Sequence, residues 1–547
     1  MGDFCSYVVG YAKSYNDQSV KKMVGEMGLE LSYDKQLKGK NGYKVYQTDA
    51  NGYALVDGTL REKDPTNGND LYLTIDSGLQ RNLDYLMSNA YSESGAEVVT
   101  AGVMEIKTGK ILAMSTYPSF NPNERNISTF NNYFLEGTIE CGSVFKPFIY
   151  ADSIEEGKYD HNAYYNSGSY NVYYGNKLVA TIKDHNGGQG WGTITYDQGL
   201  YHSSNVAICN LLDQGYVTKD VLTEKLNDLG FFQGDTVDGL TCSSSINAYT
   251  RKNAGRLEYL TTGFGQGSTV TPYQLLKAYS VFGNDGKTVQ PHIVDKVVNP
   301  KTNKVVYQAT PKYSKQIFST NTISQVKDLM LGVIEDEQGT GKTYRLDNDV
   351  RMIGKTGTGQ VVENGGYSTT LYMHSFVGIA PYDDPQVVMF LTFKSGDSYA
   401  QYMPNIVKQT MNEALQVVNR YNAKNTTAVD QSYTLDSYTN QSVNYVKSKL
   451  ESKSLSVQII GNGSSVIEQY PLAKSKVTSG DKVFIKTEGK DITLPNLIGW
   501  SKKEVQTYAS LAGIQLTIDG TSGHVTAQSV GENTVVHSGD SLTVVIS

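Results

Sequence analysis

Three short motifs, far apart along the 547-residue chain, constrain its fold because they can act together only where folding brings them to one place. They are Ser143-x-x-Lys146, Ser203-x-Asn205 and Lys355-Thr356-Gly357-Thr358. A serine hydroxyl is a poor nucleophile near neutral pH, so it needs a neighbour to take its proton. Positions i and i+3 of a helix share one face, which lets Lys146 reach Ser143. The first motif therefore predicts a serine nucleophile with a lysine base.

The order and separation of the motifs are more specific than any one of them. Gaps of 60 and 152 residues separate Ser143, Ser203 and Lys355, a pattern similar to that of penicillin-binding proteins and serine β-lactamases. With the phrases LYLTIDSGLQ, AGVMEIKTGKILAMSTYPSFNPN, GFGQGSTVTPYQL and SFVGIAPYDDPQ, the chain resembles a class B penicillin-binding protein over nearly its whole length. The resemblance implies a peptidoglycan D,D-transpeptidase that cross-links D-Ala-D-Ala stem peptides through a serine acyl-enzyme and binds penicillin covalently.

The resemblance also implies roles for the first two motifs. Ser143 would be the acylated nucleophile, and Lys146 the base, which must be at least partly neutral to accept a proton. Ser203 would relay a proton between Lys146 and the leaving amine, while the Asn205 amide would hold a substrate amide. Taken alone, a serine such as Ser203 is equally typical of a helix N-cap. These four residues are the predicted catalytic set.

The third motif supplies the predicted substrate-binding set. By resemblance it lies on an edge strand, where Lys355 attracts the substrate carboxylate and Thr356 bonds to it. Gly357 would leave room for the backbone of the substrate to approach. The backbone N–H groups of Ser143 and Thr358 would form the oxyanion hole, whose donors are each typically worth ~10²–10³ in rate. This mechanism requires no cofactor.

Two alternatives follow from what happens after Ser143 is acylated. A β-lactamase hydrolyses its acyl-enzyme quickly with a positioned base, a separate Glu in class A enzymes, and no matching motif is identified here. The other alternative is a catalytically slow β-lactam sensor or a scaffold of the division complex. Slow but definite acylation with a persistent adduct would favour the enzyme, and loss of acylation would favour the scaffold.

A metal site is the other chemistry that this region of the sequence offers. Cys141, Asp184, His185 and His202 together would supply a thiolate, a carboxylate and two imidazoles, an acceptable set for tetrahedral zinc. Their spacing matches no known zinc signature, and a free cysteine is usually a small buried hydrophobe. We therefore predict no metal site, with zinc at these four residues as the alternative.

Length and charge limit the class of protein. At 547 residues the chain exceeds one core, and roughly three to four domains are expected. Hydrophobic residues at 39% and charged residues at 19% indicate a globular protein with a substantial core. A net charge of −7 argues against nucleic-acid binding, because no excess of basic residues is present to neutralise phosphates.

The domain organisation follows from shifts in pattern along the chain. We predict a partial N-terminal pedestal of the dimerisation type at residues 1–75 and a transpeptidase domain at residues 76–420. Residues 432–488 and 490–547 are predicted to be two small α+β PASTA modules. The fold class is α+β multidomain, with a mostly antiparallel sheet covered by helices.

Local signals place several strands and one linker. A hairpin is predicted around Asn51-Gly52, and residues 103–106 and 111–114 should flank a turn. Residues 376–379 should pair with residues 387–393. After Tyr421, the polar stretch NAKNTTAVDQS is typical of a linker.

An internal repeat marks the C-terminal region. In register at 59 residues, Val466 aligns with Val525 and Gln469 with Gln528, and a Ser-Gly-Asp turn at 479–481 recurs at 538–540. Each unit is predicted to be a helix followed by strands, similar to a PASTA module. The first unit is degenerate, with Asp436 where Pro495 aligns in the second, and we favour a structural role for both over ligand binding.

Location and partners are implied by the resemblance alone. Class B family members carry an N-terminal membrane anchor, whereas no apolar run here approaches the ~20 residues needed to span a bilayer. We interpret the chain as lacking its anchor and expect the protein at the extracellular face of the cell membrane. The expected partners are peptidoglycan stem peptides, β-lactams and other cell-wall synthesis or division proteins.

Overall fold

The computed structural model describes residues 3–17, 20–51, 53–346, 350–363, 365–426, 432–451, 453, 455–478, 481–520 and 524–546. The chain forms two compact units. The larger contains Gly2–Ile75 and Leu86–Met411, and the smaller contains Asp76–Tyr85 and Asn412–Ser547. Each unit has its own buried core, so the two are described separately below.

The N-terminal part of the larger unit consists of two antiparallel hairpins and three short helices. One hairpin joins Tyr43–Thr48 to Ala54–Lys63, and this confirms the hairpin predicted there. The Asp49 carboxylate accepts the backbone N–H groups of Asn51 and Tyr53, which closes the turn, while Gly52 lies outside the described residues. The remaining elements are Ser6–Val9, Tyr11–Asp17, Val20–Met27, Gly28–Ser32 and Asp34–Leu37.

A five-stranded sheet forms the centre of the larger unit. In sheet order its strands are Ile353–Glu363, Gly366–Ala380, Val387–Ser395, Val98–Glu105 and Ile111–Tyr117. Every neighbouring pair is antiparallel, where the sequence predicted a mostly antiparallel sheet. All residues of Val98–Glu105 and Ile111–Tyr117 are buried, which shows that protein covers both faces of these strands.

The strand pairs predicted from the sequence are present in this sheet. Phe376 pairs with Leu391 and Ile379 with Val388, on either side of the turn at residues 381–385. Residues 98–105 and 111–117 pair across the turn at residues 107–110. These pairs place the Lys355-Thr356-Gly357 motif on the first strand of the sheet, with a hydrogen-bonded neighbour on one side.

Helices pack around the sheet, and their first residues explain where they begin. Thr195 and Thr271 form capping boxes with Gln198 and Gln274, and Ser319 caps the longest helix that lies wholly in this unit. The α-helices here are Tyr133–Glu136, Lys146–Glu155, Tyr196–Tyr201, Asn205–Asp213, Lys219–Asp228, Arg256–Thr262, Pro272–Tyr279 and Thr320–Glu335. Single 3₁₀ turns occur at Gly142–Phe145, Ala248–Thr250, Ser280–Gly283, Lys342–Tyr344 and Asp397–Gln401.

The helix Lys146–Glu155 is buried along almost its whole length. Phe148, in its first turn, lies with its ring centroid 5.0 to 5.8 Å from those of Phe145, Phe231, Tyr279 and Phe282. Such aromatic contacts favour one rigid orientation of the helix. The shorter strands of the larger unit are Asp70–Leu73, Tyr164–Asn166, Ser169–Tyr174, Lys177–Lys183, Thr193–Thr195, Asp235–Val237, Leu240–Cys242, Val294–Asn299 and Lys304–Gln308.

Two long helices have residues in both units, and the second of them corrects the predicted linker. They are Ser77–Ser94 and Met403–Thr426. The second helix continues beyond Tyr421, where the sequence predicted a linker to begin, because Ala and Lys in that stretch favour helix. Residues 427–431 lie outside the described part of the chain.

The two C-terminal repeats of the smaller unit have the same topology, as predicted. In each, a helix precedes a three-stranded sheet whose central strand pairs parallel on one side and antiparallel on the other. The helices are Val443–Glu451 and Lys502–Ala512, and the sheets are Ser456–Ile460, Lys482–Thr487 and Val466–Tyr470, then Gln515–Asp519, Ser541–Ile546 and Val525–Gln528. Two-stranded pairs add Ser432–Thr434 with Lys476–Thr478 and Ile492–Thr493 with Val535–Val536.

The aligned glutamines of the repeat have equivalent hydrogen bonds. Gln469 accepts the backbone N–H of Tyr438, and Gln528 accepts that of Leu497 at the matching position. Both side-chain amides also donate to backbone carbonyls at equivalent sites. The glutamine therefore joins the loop before each helix to the sheet. Of the repeated Ser-Gly-Asp turn, residues 479 and 480 lie outside the described residues.

Candidate active site

Ser143 and Lys146 lie at the junction of a 3₁₀ turn and an α-helix. The sequence predicted one helix for both, whereas Ser143 is in the 3₁₀ turn Gly142–Phe145 and Lys146 begins the helix Lys146–Glu155. With three residues per turn, a 3₁₀ helix aligns positions i and i+3 more closely than an α-helix does. Ser143 is half-buried and lines a cavity, while Lys146 is fully buried behind it.

Glycines allow the turn that carries Ser143 to pack against the first strand of the sheet. A Cβ on Gly142 would lie 2.3 Å from the Thr358 carbonyl oxygen, and Gly142 has a φ of +61°. A Cβ on Gly359 would lie 1.8 Å from the carbonyl oxygen of Glu140, and one on Gly357 would lie 2.8 Å from that of Cys141. The side-chain-free face of Gly357 therefore accommodates the nucleophile turn.

Ser203 lies between two helices in a backbone conformation that is unusual for serine. Its φ is +59°, in the left-handed region, and it follows Tyr196–Tyr201 and precedes Asn205–Asp213. The N-cap of the second helix is Ser204, whose hydroxyl accepts the Ala207 N–H. Ser203 is thus free of the capping role, and its carbonyl and hydroxyl both face lysines.

Both motif lysines converge on Ser203. Lys355 Nζ donates to Ser203 Oγ at 2.8 Å and to its neighbour's carbonyl, Thr356 O, at 2.9 Å. Lys146 Nζ donates to the Ser203 carbonyl and lies 3.4 Å from Ser203 Oγ. The three sequence motifs therefore meet at one point in the fold, as their order predicted.

Burial changes the protonation of both lysines. It lowers the pKa of Lys146 to about 7, although the negative charge of Asp184 opposes the shift. Burial also lowers the pKa of Lys355 well below its usual value, and the adjacent charge of Lys146 lowers it further. Near neutral pH a substantial fraction of Lys146 is thus uncharged, which a proton acceptor requires.

The remaining motif residues line the cavity, except Lys355. Asn205 lines it while its side-chain amide donates to the Lys183 carbonyl at 2.9 Å. Thr356 also lines it, and its hydroxyl donates to that of Thr340 at 2.9 Å. The exposed residue Thr358 lies further along the same strand. Lys355 lies on this strand too, but its side chain is fully buried and does not line the cavity.

The cavity has a volume of about 500 Å³, and the sequence analysis missed part of its lining. The missed side chains come from loops, 3₁₀ turns, the first two strands of the sheet and the start of the helix Met403–Thr426. The phrase SFVGIAPYDDPQ contained Ser375, and the GFGQG run contained Phe264 and Gln266, but neither gave these residues a role. Gln266 of that run donates to the Gln360 side chain at 3.2 Å across the cavity. The others are His185, Phe264, Thr340, Thr343, Tyr344, Tyr372, Ser375, Tyr399, Ala400 and Pro404.

The four residues considered for zinc do not form a metal site in the described part of the chain. No group of three or more His, Cys, Asp or Glu side chains is placed there to hold a metal ion. Burial raises the pKa of the Cys141 thiol, which disfavours the thiolate that zinc requires. His202 instead stacks on Trp191 with ring centroids 4.4 Å apart, and the Asp184 carboxylate accepts backbone and hydroxyl hydrogens.

Comparison with known families gives the class of the protein. Residues 99–416 match the penicillin binding protein transpeptidase domain, and residues 1–73 match the penicillin-binding protein dimerisation domain. Residues 433–489 and 492–547 each match the PASTA domain. The chain therefore belongs to the penicillin-binding protein transpeptidase family. Within it, the chain has the modular order of a dimerisation domain, a transpeptidase domain and two PASTA domains.

Individual relatives agree with this assignment. The chain is 30% identical over 510 residues to stage V sporulation protein D of Bacillus subtilis, covering 90% of this chain and 75% of that protein. It is 28% identical over 411 residues to a probable peptidoglycan D,D-transpeptidase PenA of Neisseria flavescens, covering 72% and 94% respectively.

Solved structures share the fold. Penicillin binding protein 2X from Streptococcus thermophilus superposes with a TM-score of 0.69 at 24% identity, covering 100% of this chain and 82% of that one. Penicillin binding protein 3 from Mycobacterium tuberculosis, complexed with aztreonam, gives 0.63 at 25% identity, covering 76% and 89%. Among the residues that the structure describes here, no helix is long and apolar enough to cross a membrane.

Proposed function

We propose that Ser143 is the acylated nucleophile of a peptidoglycan D,D-transpeptidase, with Lys146 as its base. Family membership makes the chain a serine-type peptidoglycan D,D-transpeptidase. The observation that carries the residue assignment is the convergence of Lys146 and Lys355 on Ser203, beside a cavity that Ser143 lines. A buried lysine with a pKa of about 7 is suited to accept the serine proton.

In the first half-reaction, Ser143 Oγ attacks the carbonyl carbon of the penultimate D-Ala. A C–O bond forms, and the Ser143 proton passes to neutral Lys146. The amide C–N bond then breaks, and the leaving D-Ala amine takes a proton from Lys146 through the Ser203 hydroxyl, which contacts both lysines. The product is an ester between the stem peptide and Ser143.

In the second half-reaction, the amine of another stem peptide attacks that ester. Its proton leaves by way of Ser203 to Lys146, the C–O bond to Ser143 breaks, and Ser143 regains a proton. A new amide bond then cross-links the two stems. A penicillin follows the first half-reaction only, with opening of its lactam ring, and remains attached as an ester.

Substrate binding is assigned to the strand beside the nucleophile. The hydroxyls of Thr356 and Thr358 would hold the terminal carboxylate of the substrate. The buried ammonium group of Lys355, on the same strand, would attract that carboxylate by its positive charge. The backbone N–H groups of Ser143 and Thr358 would hold the oxyanion, and Asn205 a substrate amide. The sequence assigned Gly357 to leaving room for the substrate backbone, but its side-chain-free face packs against the nucleophile turn, so we assign it to the placement of Ser143 instead.

The wider assignment concerns domains, partners and location. We propose the domain limits predicted from the sequence, with a pedestal domain at 1–75, the catalytic domain at 76–420, and PASTA modules at 432–488 and 490–547. The protein would act at the extracellular face of the cell membrane with other cell-wall synthesis or division proteins. Its relative in Bacillus subtilis is named for sporulation, which makes sporulation one candidate process for this chain.

The deciding experiment is labelling with a fluorescent penicillin, followed by mass spectrometry of the intact chain and its peptides. We expect one lasting adduct on Ser143, and none on a folded Ser143→Ala variant. The chain offers a matched control, because Ser324 and Lys327 form another S-x-x-K, on the Thr320–Glu335 helix, with Ser324 exposed. Ser324→Ala should label like the unmodified chain.

Each other result has a clear meaning. An adduct that is rapidly hydrolysed would favour a β-lactamase. No adduct on a chain shown to be folded would favour the scaffold alternative, whereas a lasting adduct without transpeptidation would favour the sensor. Transpeptidation itself is then measured by transfer of the acyl group to a free D-amino acid. A carboxypeptidase would instead transfer the acyl group to water.

A further inference from the structure

The Asp184 carboxylate, beside the active site, accepts four hydrogen bonds. Only 1% of Asp184 is exposed, and it directly follows the strand Lys177–Lys183. Its Oδ1 accepts the Ser204 hydroxyl at 2.8 Å, the Asn205 N–H at 2.7 Å and the Val206 N–H at 3.1 Å. Its Oδ2 accepts the Gly168 N–H at 2.8 Å. All four partners are donors, and both carboxylate oxygens therefore have hydrogen bonds.

These bonds fix the loop that contains Ser203. Three of them come from the first turn of the helix Asn205–Asp213, where a negative charge is also favoured by the helix dipole. Ser203, immediately before that turn, holds a strained φ of +59° that needs support from its surroundings. The bond to Gly168 connects the same loop to the hairpin of Ser169–Tyr174 and Lys177–Lys183.

We propose that Asp184 is a positioning residue of the transpeptidase reaction, whose buried carboxylate fixes the Ser203 loop against Lys146 and supplies the negative charge that faces that lysine. The inference rests on the proposed function, because it assigns Lys146 as the base. Asp184 itself touches neither the nucleophile nor the substrate. It acts through Ser203, which Lys146 and Lys355 both contact.

The charged and titratable groups around Lys146 show how the charge of Asp184 can be tested apart from its hydrogen bonds. Burial lowers the pKa of Lys146, and Asp184 and Cys209 oppose this effect, in that order. Lys355 and His185 are the other titratable groups whose protonation is coupled to that of Lys146, and burial lowers the pKa of each. The Cys209 thiol stays neutral, because burial raises its pKa. Asp184 is thus the one anion in this set.

The test separates the charge of Asp184 from its hydrogen bonds. In Asp184→Asn the side-chain oxygen can still accept the three bonds from the Ser203 loop, but the charge is gone. The bond from the Gly168 N–H is also lost, because an amide NH₂ group cannot accept it. The pKa of Lys146 should fall, so the rise of the penicillin acylation rate with pH should move to lower pH by about one unit. In Ser204→Ala the charge stays and one bond to it is lost. Acylation should slow roughly ten- to hundred-fold with its pH midpoint unchanged.

Thr218→Ala is the matched control, because Thr218 caps the helix Lys219–Asp228 in the way Ser204 caps its own. This variant should keep both the rate and the pH midpoint. An Asp184→Asn midpoint equal to that of the unmodified chain would overturn the charge role, and unchanged acylation in Ser204→Ala would overturn the positioning role. If Asp184→Asn does not fold, as judged by circular dichroism, Ser204→Ala decides. Absence of any adduct on the unmodified chain would instead overturn the proposed function.

Discussion

Lys355 Nζ donates a 2.8 Å hydrogen bond to Ser203 Oγ, although 152 residues separate the two in sequence. The same hydroxyl lies 3.4 Å from Lys146 Nζ, so a single serine joins two buried lysines. Two ammonium groups so close together repel each other, and burial adds to the cost of charging both. Ser203 therefore sits at the centre of a shared protonation equilibrium.

Replacing Ser203 with alanine tests this arrangement. Ser203→Ala removes the hydroxyl oxygen that both lysines contact. We expect penicillin acylation to slow by roughly 10²- to 10³-fold, because proton transfer through the hydroxyl is lost. Stopped-flow fluorescence with a labelled penicillin measures the rate. A rate within about threefold of the unmodified chain would show that Ser203 is not the relay.

Acylation should depend on pH through Lys146. Its pKa is lowered to about 7, and only the neutral amine accepts a proton, so the rate should rise as pH increases through about 7. With an ordinary lysine pKa the rise would continue to above about pH 9. Lys146→Arg, which stays charged at every accessible pH, should abolish acylation. The rate constant measured across this range distinguishes the two cases.

Gly142→Ala should disrupt the nucleophile turn. The new Cβ would meet the Thr358 carbonyl oxygen at 2.3 Å, and the residue would also be strained at a φ of +61°. Gly157 is the control, because its φ is +66° but a Cβ added there would meet no atom within 4 Å. We expect Gly157→Ala to cost about 1 kcal/mol in unfolding free energy and to acylate normally.

For Gly142→Ala we expect at least a ~100-fold loss of acylation, because the turn that carries Ser143 must move and the Ser143 hydroxyl would lose its alignment for reaction. Both variants share the backbone strain, so the difference between their acylation rates reports the contact with Thr358. Equal acylation by the two would show that the turn can relax. Thermal unfolding followed by circular dichroism supplies the stability comparison.

Asp152 should be replaceable with a gain in stability. It is fully buried on the helix Lys146–Glu155, and within the described part of the chain neither carboxylate oxygen has a hydrogen-bond partner. Burial raises its pKa well above the usual value, so the folded protein keeps the carboxyl protonated while the unfolded chain ionises it. Stability is then lost as pH rises above the unfolded pKa of about 4.

Asp152→Asn removes that ionisation without changing the shape of the side chain. We expect its Tm at about pH 7.5 to rise by about 2–4 °C, as for roughly 1 kcal/mol in a domain of this size. The gain should shrink as pH approaches about 4, where the aspartate is protonated in the folded and the unfolded chain alike. Asp64→Asn, at an exposed position, should leave Tm unchanged at every pH. A lower Tm for Asp152→Asn would mean that the carboxyl has an essential partner.

Much of this architecture could be predicted from the sequence. Turn signals between strand-like segments located two antiparallel pairs of the sheet, including Phe376 with Leu391. The 59-residue repeat located two modules of one topology, although the shared role of Gln469 and Gln528 became visible only from their hydrogen bonds. The transpeptidase prediction is confirmed by the family match over residues 99–416.

The sequence could not show how the motifs are supported. The αL conformation of Ser203, the 3₁₀ turn at Ser143 and the anchoring role of Asp184 depend on contacts between distant segments. Asp184 was considered only as a metal ligand, because its neighbours in sequence include a histidine while its partners lie 16 to 22 residues away. The predicted start of the linker at Tyr421 was wrong, since polar residues alone do not end a helix.

The two buried lysines beneath the cavity have a consequence for ligand binding. An anionic ligand at the strand of Thr356 favours the charged form of Lys355, whose pKa is lowered by burial and by Lys146. Binding near neutral pH is therefore coupled to the uptake of protons from solution. The heat of association measured by calorimetry should accordingly vary with the ionisation enthalpy of the buffer. The site therefore binds an anion and a proton together.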